Sequence, residues 1–423
     1  MPNKTLTSTE VAINAIDVLH NNSYMLKVID KQHSKEFGKT GAQIGSTFNI
    51  KRPWRPTVFR QTALAVQNFL EDTVPLTLQY PYQVALNFTS AELSLSVQNF
   101  RKQVLDPSMP VMATAIDLDV LGLSYNGYLQ VGTAGTTPGT AGGAFAGVGG
   151  ATGVINNYNS PNWTLIAGAL LDGMAAPRDE RRELVIGQWA MAQTVAGLTT
   201  ITNDQRTIGE QYVRGVMMEA HGFKWAMDQN VRTIYTGTRA GTPLVNGSSQ
   251  VGANLITNGW TANTTINAGE IIMVAGIYHV NPENQQTITQ YQATFVVTAN
   301  ATADANGNMT VPIYPSIIPA STTSNYGTVN ASPATGAAIT LMSGNASTFY
   351  PVNIAFHGDA FTMATADLVM PNNIDFAARE TYEGISVLIT KAYDITNLQF
   401  PARCDILAGY ACTRPELLVR ATG

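Results

Sequence analysis

The stretch MATADLVMPNNIDFAARETYEGISVLITKAYDITNLQFPARCDILAGYACTRPELLVR, residues 363–420, decides the fold class. Ile385, Val387 and Ile389 alternate, and so do Ile406, Ala408 and Tyr410. That is the period of two of strands laying one face on a core. The intervening TNLQFPAR reads as the turn, and Pro415 after Arg414 as the stop of the last strand. The block is closely packed β-structure and carries no catalytic signature.

Composition bounds the rest. At 423 residues the chain has room for two or three domains. An apolar content of 45% supplies a core, so global disorder is excluded. Charged residues make up only 13%, about half the ~25% of ordinary soluble domains. A chain whose surface is mostly covered by neighbours tolerates that, which points toward an assembly. The net charge of −5 does not mark a nucleic-acid binder. Cys404 and Cys412 are the whole cysteine complement, too few for a disulfide framework, and read as small buried hydrophobes in a reducing compartment. The opening MPNKTLTSTE lacks the apolar core of a signal peptide, and no window approaches the ~18 apolar residues of a membrane span.

Working toward the N-terminus, charge vanishes. Between Gly241 and Gly344 there is no Lys or Arg, and Glu270, Glu283 and Asp304 are the only acids. Short strands at Ile271–Val274, Thr294–Thr298, Met309–Ile313 and Ala338–Met342 are separated by turn residues, with Asn306-Gly307 as a hairpin signal. The pattern predicts a small all-β barrel or sandwich inserted into another domain. Upstream, Thr207-x-x-Glu210 predicts a capping box for a helix carrying Val213, Val216, Met217 and Ala220, with Gly222 as C-cap. Ser160-Pro161 opens a helix with Trp163, Ile166, Leu170 and Met174 on one face, ended by Pro177. Residues 132–153 hold nine glycines and no charge; without a following Lys or a strand-to-helix context they read as a surface loop, not a phosphate cradle.

Asp106-Pro107 predicts another helix start, with Met109, Met112, Ile116, Val120 and Leu123 at helical spacing. Leu118 and Leu121 make it apolar on most sides, as in a buried helix. Before it, Phe48 and Ile50 alternate, and Val84, Leu86, Phe88 and Leu93, Leu95, Val97 repeat the period of two. They predict an extended hairpin around a long polar centre. Lys51, Arg52, Arg55 and Arg60 cluster there; with only Trp54 and Phe59 near, they lack the aromatic platform of a nucleic-acid site and suit acidic groups of a neighbouring subunit. Residues 9–32 predict an amphipathic helix.

The closing run, with its strand opening near Cys404 and its turn Thr413-Arg414-Pro415-Glu416, strongly resembles that of tailed-phage major coat proteins of the Salmonella phage P-twenty-two type. Within the insert, Asn267-Ala268-Gly269-Glu270-Ile271, Ala275-Gly276-Ile277, and Val329-Asn330-Ala331-Ser332-Pro333 followed by Ala337–Met342 are also similar. The resemblance implies an α+β class, the HK-ninety-seven-like fold of tailed-phage and herpesvirus shells. Its expected parts are an N-terminal arm along neighbouring subunits (1–36), an extended loop with peripheral strands (37–100), a spine helix (101–131), a central axial domain (132–240), the inserted β domain (241–344) and C-terminal strands (345–423).

The function so implied is a major capsid protein that builds an icosahedral shell through a scaffold-dependent procapsid that expands on DNA packaging. It needs no catalytic residue, cofactor or metal. Its partners are copies of itself in hexamers and pentamers, a scaffolding protein and a portal protein, around double-stranded DNA held without sequence-specific binding, and no membrane. Its place is the virion, after assembly in the bacterial host cytoplasm, with Lys51, Arg52, Arg55 and Arg60 as intersubunit contacts. The Asn/Thr-rich insert also suggests an alternative, a secreted β-rich binding or adhesin module.

Candidate chemistry is sparse. His20, His33, His221, His279 and His357 lack metal-ligand spacing. His357-Gly358-Asp359 reads as a surface or capping pair, and Asp179-Glu180-Arg181-Arg182-Glu183 as a solvated or bridging charge run. No Gly-x-Ser-x-Gly elbow is present.

Overall fold

The computed structural model describes residues 13, 15–19, 23–31, 45–67, 71–79, 81–89, 106–131, 155, 162–198, 219–321, 325–371, 374, 376–396 and 399–423. The fold is mixed α+β, mostly strands with few helices. The chain forms two compact units, one of Met1–Arg52, Thr73–Val120 and Phe361–Thr413, the other of Pro53–Asp72, Leu121–Ala360 and Arg414–Gly423.

The first unit is organised by one strand, Gln399–Cys412. Its first half pairs antiparallel with Tyr82–Thr89 on one edge and Ile385–Lys391 on the other, and its second half pairs with Phe361–Ala366. Both faces are covered. Leu407 and Ala411 join Ile50, Leu76, Leu78, Ala364 and Ala366 in an apolar cluster, while Ile406 and Ala408 are buried on the opposite side. The expectation of one buried face is corrected here: Leu407 between Ile406 and Ala408 makes the strand a continuous apolar run, the form taken by strands sandwiched between layers. Nor does Pro415 end the β-structure. It opens a short 3-10 turn, Pro415–Leu417, and Leu418–Thr422 follows as a strand of the second unit.

The hairpin is re-paired too. Thr47–Lys51 pairs with Thr73–Thr77, not with Tyr82–Thr89. Pro75 in TVPLT hides that partner strand from a propensity reading, yet it is tolerated because the sheet has only two strands and leaves an edge free of ladder bonds. Leu93–Val97 lies outside the described residues. Gly409 lets this hairpin approach: a Cβ there would sit 2.5 Å from Thr77 O.

The helix Asp106–Gly122 buries Met109, Met112, Ala113, Ile116, Asp117, Val120 and Leu121, a single i, i+3, i+4 stripe, while Leu118 is half-buried. It is one-sided, not apolar all round. Asp117 on that stripe accepts from Ser23 Oγ at 2.5 Å, and Asp119 accepts from Tyr82 Oη at 2.7 Å. Ala15, Ile16, Leu19, Met25 and Leu26 are buried, and Asp30 bridges Thr362. This much of the expected arm docks on its own chain. The single helix predicted over 9–32 is broken at Ser23, with Met25–Val28 as a separate turn.

The second unit carries a seven-stranded sheet in which Phe349–His357 sits between Leu418–Thr422 and Arg182–Ile186. The helix Asn162–Gly173 buries Trp163 edge-on to Trp225, ring centroids 5.9 Å apart. It ends before Pro177, at Ala175 with φ +58°, where Ala176 N donates to Leu171 O at 2.9 Å. The helix predicted from Thr207 lies outside the described residues except at its end. There Ala220 belongs to the strand Glu219–Ala220, and His221 and Gly222, both at positive φ, form the hairpin turn to Phe223–Met227. The glycine-rich loop 132–153, His20 and His33 also lie outside the described residues.

Residues 241–345 contain a six-stranded sheet whose outer strands, Gly241–Val245 and Ile339–Leu341, are joined by a Leu244–Ala338 bridge. The sheet thus closes into a barrel, removing both edges. Every buried member of its core cluster falls between Val245 and Ile339. Inside it His279 is fully buried beside Phe295; its Nδ1 donates to Thr328 O at 3.3 Å and its Nε2 accepts from Thr294 N at 3.0 Å. Burial pushes its pKa down from 6.5 to about 4.

A fragment of residues 241–344 should show a slowly exchanging β core on its own. Its unfolded state binds an extra proton at His279 between pH 4 and 6.5, so stability present above pH 6.5 should fall toward pH 4, by up to about 1.4 kcal/mol per pH unit, with a shallower slope in His279→Gln. In the first unit, Gly409→Ala should cost about 1–3 kcal/mol in denaturant unfolding of the full chain, because the added methyl meets backbone. An unchanged midpoint would show that Thr77 does not lie against the strand.

Candidate functional site

The segment joining the two hairpin strands is the most solvent-exposed apolar feature of the described chain. Val58, Leu64 and Val66 are 84%, 89% and 82% exposed, and Trp54 and Phe59 are also exposed. The polar centre expected here is therefore corrected: the loop presents apolar side chains to solvent. Such grouping marks interaction surfaces.

Local chemistry holds the loop in place. Pro53 and Pro56 restrict its backbone to extended conformations. The Gln67 side chain grips Thr57 as a strand partner would, accepting from Thr57 N at 2.8 Å while its amide donates to Thr57 O. Pro56 O accepts from Asn325 Nδ2 at 2.6 Å.

Two of the four cations are held by the closing turn of the same chain. Arg52 Nε donates to Thr413 O at 2.8 Å, and Arg55 Nη2 pairs with Glu416 Oε1 at 3.2 Å. Glu416 is buried and also meets Arg414 Nε at 3.4 Å. Lys51 and Arg60 are exposed, and Arg60 has no ion-pair partner among the described residues. Two of the four cations are thus engaged by the Thr413-Arg414-Pro415-Glu416 turn of the same chain, a partnership that sequence could not show across 361 residues.

Elsewhere the charges are structural. Arg182 and Glu183 are buried at the start of a central strand, Arg182 pairing with Asp172 at 2.7 Å. Arg181 pairs with Asp359 at 2.6 Å. Asp179, Glu180 and Arg181 are exposed while Arg182 and Glu183 are buried, so the run is solvated at its start and bridged into the sheet at its end. His357 is buried, not a surface residue: its Nε2 donates to Asp179 Oδ1 at 3.0 Å and its Nδ1 accepts from Asp359 N at 3.2 Å. Cys404 and Cys412 are buried free thiols, and burial pushes the Cys404 pKa up to about 12. No group of three or more His, Cys, Asp or Glu side chains among the described residues could hold a metal. No described helix is long and apolar enough to cross a membrane.

The family described as P22 coat protein - gene protein 5 matches residues 3–423. The chain belongs to this family. It is a major coat protein of a tailed-phage capsid, and the secreted binding module is set aside. No curated protein matches the sequence. Among solved structures, the coat protein is similar to one described as Mycobacterium phage Che8, at 8% identity and TM-score 0.45, over 94% of this chain and 90% of that one. It is also similar to the asymmetric unit of the bacteriophage PhiM1 mature capsid, at 9% identity and TM-score 0.41, over 88% and 81%. A third is the capsid structure of the Cyanophage P-SCSP1u, at 11% identity and TM-score 0.40, over 90% and 83%.

Charge reversal should separate Arg52 and Arg55 from Arg60. Arg52→Glu with Arg55→Glu should lower the subunit's melting temperature, because Arg55→Glu sets a second carboxylate against buried Glu416. Arg60→Glu should leave the melt within about 0.5 kcal/mol of the parent. Equal melts for the double variant and Arg60→Glu would refute the internal pairing.

Proposed function

We propose that this coat protein assembles as hexamers and pentamers into a closed icosahedral shell, using the loop 53–67 as an overlapping contact on adjacent copies. The observation that carries the assignment is the family match over residues 3–423. The exposed Val58, Leu64 and Val66 supply an apolar surface for such a contact, and the low charge of the chain suits a subunit covered by its neighbours. Exposed Lys51 and Arg60 are placed to meet acidic groups on the next copy.

Ring-closing heterologous contacts repeat one surface pair around each capsomer, so a small gain per subunit is multiplied through the shell. In this proposal the shell forms in the host cytoplasm around a scaffolding protein and incorporates a portal. It then expands as double-stranded DNA enters, packed domains shifting between two arrangements. The net charge of −5 would keep the duplex from adhering to the wall. The role is structural and requires no cofactor. The expected segments 1–36, 37–100, 101–131, 132–240, 241–344 and 345–423 form the domain plan of this proposal.

Val58→Asp with Leu64→Asp tests the loop directly. Both side chains lie in solvent in the free subunit, so its melt should shift by no more than about 0.5 kcal/mol. Co-expressed with the neighbouring phage genes, the parent should give closed shells by negative-stain microscopy and the double variant soluble subunits. Closed shells from the variant would remove the loop from assembly; no shells from the parent would refute the functional proposal.

A further inference from the structure

Arg420 lies on Leu418–Thr422, a strand buried along its whole length between Phe349–His357 and Leu129–Gln130. It is fully buried, yet no carboxylate faces it among the described residues. Nη1 donates to Gly269 O at 2.6 Å, while Nε and Nη2 have no hydrogen-bond partner there. Burial lowers its pKa from 12.5 to about 10. An apolar side chain of similar length would fill such a position without the desolvation cost of a cation. What the guanidinium adds is the contact with Gly269.

That contact is at the foot of the barrel. Asn267-Ala268-Gly269-Glu270 is a tight turn, with Glu270 N donating to Asn267 O at 3.2 Å and Gly269 at φ +86°. Glu270 Oε1 accepts from Asn267 N at 2.7 Å and Gly237 N at 2.8 Å, and Oε2 pairs with Arg239. Arg239 also donates to Gly344 O, so it ties the chain leading into the barrel to the chain leaving it. One turn is thereby held by two guanidiniums, Arg239 from the stem and Arg420 from the central sheet. Gln130 of the same sheet adds a second tie, Nε2 to Met342 O at 2.5 Å.

We propose that Arg420 is a positioning residue for assembly: it sets the angle at which the inserted barrel stands on the central sheet, and so where the barrel meets a second copy of the chain. This rests on the shell-forming function proposed above. Because its Gly269 contact lies outside the barrel's own core cluster, the joint can loosen while the barrel stays folded.

The test uses the full chain, with the parent and Arg420→Met compared by amide exchange on the subunit and by electron microscopy of shells from co-expressing cells. Arg420→Met should keep its cooperative melt and the protection of the barrel strands at residues 255–260, 272–280, 293–297 and 309–317. Exchange at residues 268–271 should rise about ten-fold or more, as expected for a local opening, and shells should vary in diameter or fail to close. Arg420→Lys keeps a donor for the carbonyl and should restore uniform shells. Unchanged exchange at the turn, uniform shells from Arg420→Met, or lost protection through the whole barrel would each overturn the proposal. If Arg420→Met does not fold, Gly269→Ala attacks the joint from the other side, since a Cβ at φ +86° strains the turn. Uniform shells and parent-like exchange from that variant would overturn it equally. Should the parent give no shells, the functional proposal fails, and the exchange comparison alone still decides the joint.

Discussion

The first unit depends on the pairing of Gln399–Cys412. It forms ladders with Tyr82–Thr89, Ile385–Lys391 and Phe361–Ala366, and packs the hairpin of Thr47–Lys51 and Thr73–Thr77 against Leu407 and Ala411. Segments from three distant parts of the sequence are bound through one strand. It must therefore be apolar on both sides and small where backbone approaches, which is why Leu407 and Gly409 stand between Ile406, Ala408 and Tyr410. Burial of this kind, at about 25 cal/mol per Å² of apolar surface, is the dominant favourable contribution available to such a chain.

The second unit solves a different problem: a chain segment leaves a sheet, forms a closed barrel, and returns. Between Gly241 and Gly344 the barrel has no Lys or Arg, and its buried acid, Glu270, is placed at the foot, not in the core. Charge is concentrated where the barrel meets its support, in Arg239, Glu270 and Arg420. Buried ions add little net stability, yet removing one partner of such a pair is strongly destabilising. In the proposal above, a joint built from them specifies orientation more than it adds stability, which suits a subunit whose contacts must repeat across many copies.

The sequence showed this fold unevenly, for physical reasons. The strand Ile385–Lys391 was legible from the alternation of Ile385, Val387 and Ile389, although Ser386 and Leu388 between them are buried as well, and the barrel was legible from the loss of charge and from Asn306-Gly307, where Gly307 does turn at φ +76°. The helix start at Asp106-Pro107 was legible from the requirements of the first turn. Thr73–Thr77 was not, because Pro75 lowers its strand signal and only the pairing with Thr47–Lys51 rescues it. Ala220 was misassigned because His221-Gly222 serves a hairpin turn as readily as a helix end. Of the candidate site, the cluster Lys51, Arg52, Arg55 and Arg60 was visible, but its division was not. Glu416 reaches Arg55 only through the fold, and Arg420 carries no local signature at all.

The central claim is that the chain is a shell subunit whose exposed loop is completed by neighbours while its strand core is already complete. Amide exchange compared between free subunits and purified shells tests it most directly. The account predicts a large gain in protection over residues 53–67 on assembly, with little change over Gln399–Cys412, which should be slow in both states. Equal exchange of the loop in subunit and shell, or a Gln399–Cys412 strand that becomes protected only on assembly, would contradict it.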